Sequence, residues 1–375
     1  MSVTTTDPDN LLPEGLEDML PARAAAVTQA MRAVLETMDR HGYDRVRPPM
    51  LEFERSLAGR MDGIATRRMF RFVDPASLRT LALRSDITPQ IGRIAATGLA
   101  HAPRPLRLCY GGEVAMIRAD QLDPARQRLQ LGAELIGSDT VEAASEIVEL
   151  AIEALRAAGV GDISVDFTMP DLVDRLAETA MPLRGEDREA VRRELDSKDA
   201  GGLKAVEGGT AYLPLLYAAG PFDDAMRRMQ EIDASNVLDT RLDGLRRIAA
   251  RVGDRARLTL DPSERHGFEY QSWFGFTVYA EGARGALGRG GTYTLAGSDE
   301  NATGFSLYME PILEALGKKS EGREQLFLPL GHDRAAAASL REQGWRTVAA
   351  LSDTDDPSVL ECTHTLDESG KTRPV

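Results

Sequence analysis

The chain has 375 residues, long enough to bury a large core in one big domain with one or two smaller ones, so folding requires neither disulfides nor a structural metal. Its formal net charge of −14 at pH 7 opposes a polyphosphate backbone and argues against nucleic acid, tRNA included, as a partner. The two cysteines, Cys109 and Cys362, form no metal-ligand or redox spacing, and no apolar run approaches the ~20 residues of a membrane span, so a soluble, cytoplasmic protein with reduced thiols and no metal is expected.

From Pro21 to His41, Val27, Met31, Val34, Leu35 and Met38 recur at helical spacing and Gly42 supplies a stop, which predicts an amphipathic helix. Tyr43 to Glu52 suits an extended edge or loop segment, since Pro48 and Pro49 cannot donate to a sheet ladder. Phe70 to Val73 and Thr80 to Leu83 read as strands around a turn at Asp74 to Ser77. A helix follows, with Thr88 as its candidate cap and Pro89 in its first turn. Leu106 to Tyr110 and Gln130 to Ile136 read as strands flanking a charged loop from Ile117 to Arg128. Val141 to Leu155 is a helix ending at Gly159, and Ile163 to Phe167 a short strand. Residues 171–252 are helical in pattern, interrupted by Gly201, Gly202, Gly208 and Gly209, and read as a helical insertion between two groups of strands. Strands resume at Arg257 to Leu260 and Trp273 to Tyr279, one more helix is placed within Gly304 to Leu316, and Gly317 to Arg323 is a polar linker. Strand Leu326 to Leu330, helix Asp333 to Gln343 and strand Thr347 to Leu351 then make a small C-terminal α/β unit over 324–375.

Generic catalytic signatures are missing: the chain has no HExxH, no GxxxxGK[ST] and no GxSxG. Gly288, Gly290 and Gly291 follow a strand without a completed dinucleotide fingerprint, so a tight turn is the expectation there. His41, His101, His266, His332 and His364 are scattered and read as structural or surface residues. Three separated segments stand above this background. The first is Leu83 to Gln90, where a strand end delivers Asp86 and Thr88 to a helix start. The second runs from Arg107 through Glu113 to Gln130–Gly137, with Gln130 and Glu134 an even four residues apart and so on one face of a strand. The third comprises Arg265 to Gln271, Gly290 to Tyr293 and Gly304 to Pro311.

In this order the segments resemble the signature motifs of class II histidyl-tRNA synthetases and of their non-catalytic paralogues, the regulatory subunits of ATP phosphoribosyltransferase, over about residues 10 to 316. Leu12-Pro13-Glu14-Gly15 with Asp18, and Gly42-Tyr43 to Pro49, are similar to the N-terminal and first motifs, the latter a dimerisation element in the family. The resemblance implies an α+β fold with an antiparallel sheet flanked by helices, in a synthetase-like domain over 1–316. It also implies a histidine pocket: Asp86 and Thr88 at the ammonium group, Gln130 and Glu134 at the amino group and imidazole, and Tyr270 in the histidine-reading loop. Ammonium and imidazole N–H groups are donors that carboxylate and amide oxygens accept well.

The departures from the synthetase pattern are equally informative. Met116 stands at the second motif's arginine with Ala115 before it, Pro311 at the third motif's arginine, and His266 at the arginine that supports adenylation; Arg118 and Arg265 are the nearby candidates for substitutes. Gln271 stands where the synthetase has a second tyrosine near the imidazole. Guanidinium groups supply fixed bidentate donors to a developing α-phosphate charge, and neither Met nor Pro does so. The tail beyond Gly317 is shorter than an anticodon-binding domain and has no conspicuous basic face. What the resemblance then implies is a regulatory subunit without catalysis or cofactor, a homodimer core that joins a short-form catalytic subunit, activates it in the first step of histidine biosynthesis and relays feedback inhibition by L-histidine. Its rivals are a divergent histidyl-tRNA synthetase or other ATP-dependent amino-acid-activating enzyme, and an amino-acid sensor with a different protein partner.

Overall fold

A computed structural model gives the architecture and describes residues 12–58, 69–117, 125–265, 271–295, 298–317, 324–367 and 369–375. The chain divides into two compact units, Met1–Lys318 and Lys319–Val375.

The first unit is built on a nine-stranded sheet. Its order is β1 (Asp44–Arg45), β5 (Leu106–Ala115), β6 (Gln127–Ile136), β12 (Asn301–Tyr308), β11 (Gly288–Thr294), β10 (Gln271–Ala280), β7 (Ile163–Thr168), β9 (Arg257–Leu260) and β8 (Gly220–Pro221). The pairs β1–β5 and β7–β9 are parallel, and the other neighbours are antiparallel. This is the antiparallel sheet with flanking helices that the family resemblance implies. A separate three-stranded sheet, β2 (Leu51–Phe53), β4 (Thr80–Leu83) and β3 (Arg71–Val73), leads into helix α3 (Thr88–Ala96), the short helix α2 (Glu54–Ala58) lying between β2 and β3.

Period-two alternation gives the large sheet two unlike faces. On β6, Leu129, Leu131, Ala133 and Leu135 enter the main core with buried residues of α1 (Pro21–Arg40) and α4 (Val141–Ala157). Each fully buried side chain of this size contributes roughly 1.5–3 kcal/mol. The other face carries Gln130, Gly132, Glu134 and Ile136. At one end it is covered by a second cluster in which Ile87, Ile91 and Ala95 pack on Leu108, Tyr110, Ile136, Tyr293 and Ala302. That cluster seats the start of α3 over β5 and β6, which brings Asp86 and Thr88 above the polar positions of β6.

Several sequence expectations need correction. Thr88 is the first residue of α3 rather than its cap, and its N–H is taken by Asp86 Oδ1 at 3.0 Å. Gly290 and Gly291 lie inside β11 rather than in a turn, and Gly304 to Tyr308 belong to β12, the helix beginning only at Met309. Glycine's low strand propensity hides all of these, yet here it answers a steric demand: a side chain at Gly290 would strike the Gly304 carbonyl and the Phe276 ring. Strand β5 likewise continues through Gly111 and Gly112 to Ala115, because a side chain at Gly112 would collide with the Arg84 guanidinium. Of the expected loop at 117–128, residues 118–124 lie outside the described residues and Gln127 already begins β6. The 171–252 stretch holds helices Leu172–Glu178, Gly185–Asp196, Ala200–Ala205, Phe222–Ile232 and Asp239–Val252, but Gly220–Pro221 adds an edge strand to the main sheet.

The second unit is a four-stranded sheet, Arg346–Ala349, Gln325–Leu328, His364–Leu366 and Thr372–Pro374, with helix Arg334–Glu342. Leu326, Leu328, Ala337 and Leu366 form its core. Its last two strands are only three residues each, too short for alternation to reveal them in sequence.

Candidate functional site

Strands β5, β6 and β12 lie in register so that Tyr110, Gly132 and Ser306 form one row across the polar face. The rows on either side hold Gln130 and Glu134. Each of these two is about 1% exposed, so each must find partners inside the protein.

Gln130 is oriented by its neighbours. Its Oε1 accepts the Ile87 N–H at 3.0 Å, and its Nε2 donates to Asp86 Oδ1 at 2.7 Å and to Ser306 Oγ at 2.8 Å. Both amide donors are therefore committed to protein partners, and Gln130 is a brace that fixes Asp86 at the mouth of the site. Asp86 also holds the Thr88 N–H, so its carboxylate sits at the N-terminus of α3, where the helix dipole favours negative charge.

Glu134 is surrounded by hydroxyls. Its Oε1 accepts from Thr88 Oγ1 and Tyr110 OH, each at 3.2 Å, and its Oε2 accepts from Tyr293 OH at 2.7 Å. Tyr110 OH also lies 3.0 Å from Ser306 Oγ, so hydrogen bonds run from Gln130 through Ser306 and Tyr110 to the carboxylate. Burial pushes the Glu134 carboxyl up to about 8, with the Tyr293 hydrogen bond opposing and the Asp86 charge adding to the rise. Burial likewise raises the Tyr110 phenol well above its ordinary value, so that it stays a neutral donor. A carboxylate has about four acceptor positions, so the three hydroxyls leave room for one further donor. The site thus presents a buried carboxyl, Glu134, that a cationic ligand would bring into its ionised, accepting form, and a second, less buried carboxyl, Asp86, on the same face. That arrangement suits a small ligand carrying several N–H donors.

The frame is stiff. Buried Arg84 donates to Glu113 O at 2.7 Å, Pro48 O at 3.0 Å and Gln90 Oε1 at 3.3 Å, tying three segments to the base of α3, and burial lowers its pKa. Gln90 in turn donates to Pro49 O and Glu52 Oε1, both at 2.8 Å.

Of the five residues that the sequence assigns to a pocket, Asp86, Thr88, Gln130 and Glu134 are brought into one hydrogen-bonded network. Tyr270 lies outside the described residues, as do His266 and Arg118. Tyr110, Tyr293 and Ser306 belong to the same network and were not assigned individually. Tyr293 and Ser306 sit in the quoted Gly290–Tyr293 and Gly304–Pro311 segments, and period-two counting from Gly291 and Gly304 would have put them on the glycine face.

The neighbouring end of the face is different. Met116 and Arg126 pair through the Met116 N–H to Arg126 O (2.8 Å) and the Arg126 Nε to Met116 O (3.3 Å). Pro311 lies in the first turn of α10 (Met309–Leu316). Beside it, Glu310 Oε1 accepts the Leu129 N–H at 3.2 Å while Oε2 is buried without a hydrogen-bond partner, and burial raises this carboxyl. Arg265 is engaged by the insertion: its N–H donates to Asp196 Oδ1 at 3.0 Å and its guanidinium lies 4.0 Å from Glu189. Among the described residues no group of three His, Cys, Asp or Glu could hold a metal ion, and no helix is long and apolar enough to cross a membrane.

The family described as histidyl-tRNA synthetase matches residues 15–312. The ATP phosphoribosyltransferase regulatory subunit of Paramagnetospirillum magneticum is 41% identical over 370 residues, covering 96% of this chain and 97% of that protein. The protein of the same name from Rhodospirillum centenum is 39% identical over 353 residues, covering 93% and 91%. Among solved structures, an ATP phosphoribosyltransferase regulatory subunit/histidyl-tRNA synthetase from Bacillus halodurans superposes with a TM-score of 0.79 at 24% identity, covering 94% of this chain and 96% of that one. Histidyl-tRNA synthetase from Nostoc superposes with a TM-score of 0.77 at 14% identity, covering 98% and 96%.

Proposed function

Since the chain belongs to the family of ATP phosphoribosyltransferase regulatory subunits, built on the histidyl-tRNA synthetase fold, we propose that it activates a short-form catalytic subunit in the first step of histidine biosynthesis and relays feedback inhibition by L-histidine. The observation that carries this is the hydrogen-bonded network that holds the acceptors Asp86 and Glu134. Beside it, Met116 and Pro311 stand where the resemblance puts the synthetase's activating arginines.

Asp86 takes the ligand's ammonium group and Glu134 a ring N–H, with Thr88 and Gln130 fixing the two carboxylates and Tyr270 in the loop that resembles the family's histidine-reading loop. Loss of one preorganised donor to a developing phosphate charge typically removes about 10²–10³ in rate, so a site without two such arginines has no useful adenylation. Histidine there acts as a signal rather than a substrate. Regulation requires a coupling free energy between the histidine site and the partner's active site, typically about 1–3 kcal/mol, with the two ligands affecting each other reciprocally. The protomers pair through the segment around Gly42–Pro49, as the resemblance to the first motif implies.

The test is to mix the purified chain with the short catalytic subunit and to follow phosphoribosyl transfer with and without histidine, beside a histidine-dependent pyrophosphate exchange assay on the chain alone. Stimulation by the chain, reversed by histidine, with no exchange, is the expected pattern. Exchange with no stimulation would make the chain an amino-acid-activating enzyme instead.

A further inference from the structure

The helical insertion grips the sheet at a point away from the Glu134 network. On β9, Leu258 and Leu260 face the main core, so by alternation Thr259 and Asp261 fall on the opposite face, where Thr259 hydrogen-bonds Asp166 of β7. Asp261 continues the line of the strand by donating its N–H to the Phe167 carbonyl at 2.9 Å. Its carboxylate then closes a turn: Oδ1 accepts the Ser263 N–H at 3.2 Å and the Ser263 hydroxyl at 3.1 Å. The Asp261 side chain is only 13% exposed, so its charge needs a cation beside it.

That cation comes from the insertion. Lys198 Nζ lies 2.7 Å from Asp261 Oδ2, and it donates to Asp261 Oδ1 at 2.8 Å and to Ser263 Oγ at 2.9 Å. Lys198 belongs to the short connection between the helices Gly185–Asp196 and Ala200–Ala205, and its φ of +57° is a left-handed conformation that a β-carbon disfavours. Glycine would adopt it freely, whereas the lysine is held there by the contacts at its far end. Asp196, the last residue of the first of these helices, accepts the Arg265 N–H on Oδ1 at 3.0 Å, and Glu189, two turns earlier, lies 4.0 Å from the Arg265 guanidinium. Val191 and Leu195 fix the same helix in the main core. One anchored element therefore grips Asp261–Arg265 at both ends.

We propose that Lys198 is a positioning residue: together with Asp196 it fixes the segment Asp261–Arg265, and through that segment the helical insertion sets how tightly histidine binds. This rests on the assignment of the pocket to histidine. Tyr270, in the loop that resembles the family's histidine-reading loop, follows Arg265 by five residues, and Gln271 begins β10. The stretch between is thus tied at Arg265 by the insertion and at Gln271 by the sheet. A stretch held at both ends has less conformational freedom to lose when a ligand orders it, and the lysine tie supplies one of those holds.

Lys198→Gly tests this cleanly, because glycine accepts φ +57° without strain while the ammonium group is removed, and Lys198→Arg keeps a cation at the same place. On the full chain, calorimetry with L-histidine reads the affinity and hydrogen exchange without ligand reads the hold on Asp261–Arg265. K198G should weaken histidine binding about five- to tenfold and speed exchange in that segment at least about tenfold, with α4 and β6 unchanged and K198R within about twofold of the wild type on both measures. A folded K198G that binds histidine as tightly as the wild type overturns the proposal. Exchange that is no faster in the segment, or that is faster by the same factor in α4 and β6, overturns it too, since the lysine would then contribute nothing local. A wild-type chain that binds no histidine, alone or with its catalytic partner, overturns the assignment of the pocket instead, and the exchange measurement still decides whether the insertion holds the segment.

Discussion

Two ends of one polar sheet face have been left in different conditions. At the Glu134 end the buried side chains hold one another: Gln130 braces Asp86, three hydroxyls hold Glu134, and the glycine at 304 leaves room for its carboxyl. At the Glu310 end, a carboxylate oxygen is buried without a hydrogen-bond partner beside a proline. A buried polar group left unsatisfied costs about 1–3 kcal/mol, so the lone Glu310 oxygen is a cost that the paired Glu134 carboxyl does not carry. The contrast teaches that amino-acid recognition and phosphate chemistry are separable on this fold, because they draw on different residues at opposite ends of the same strands.

The largest effect that could break the contrast is recovered chemistry. Beside an active histidyl-tRNA synthetase, the wild-type chain should show pyrophosphate exchange lower by at least about 10³-fold, and Pro311→Arg alone should leave it there, since Met116 still supplies no guanidinium. Exchange restored by P311R would show that the two ends are less independent than described. The next largest effect is on the intact end. Glu134→Gln removes a carboxyl that a cationic ligand would ionise and should weaken histidine binding by about 10- to 100-fold, from a loss of roughly 1.5–3 kcal/mol, as read by calorimetry. Gly304→Ala places a methyl against the same carboxylate and should cost about 1–3 kcal/mol of stability in urea unfolding, together with histidine binding. The intact end also carries a pH slope of comparable size. Burial holds the folded Glu134 carboxyl up at about 8, above the unfolded value of about 4.3. Between these values the folded chain keeps a proton that the unfolded chain releases, so this contribution to stability is full at low pH and is lost as pH rises toward 8. Denaturation midpoints at pH 5.5 and 8 should show that fall in the wild type, and E134Q should flatten it.

Much of the intact end is legible in sequence. The even spacing of Gln130 and Glu134 on a strand, and the Asp86–Thr88 step into a helix, are local patterns that reach the same place in the fold. The amphipathic helices Pro21–Arg40 and Val141–Ala157 are equally plain, because one stripe of each enters the core. What escapes is decided across strands. Gly290 and Gly291 look like turn residues, and Gly304 like part of a helix, until the register shows that carboxylate, carbonyl and aromatic groups occupy the space above them. Tyr110 and Ser306 join the site only because they flank Gly132 from both sides, a fact of pairing that no single segment contains.

The most direct test of the central claim is feedback measured in the assembled complex with Glu134→Gln. The chain and its short catalytic partner are mixed, and phosphoribosyl transfer is titrated with histidine. E134Q should stimulate the partner as the wild type does, while the histidine concentration for half-inhibition rises by about 10- to 100-fold. Stimulation retained with inhibition at the wild-type concentration would contradict the account, because histidine would then be acting somewhere other than the face that holds Glu134.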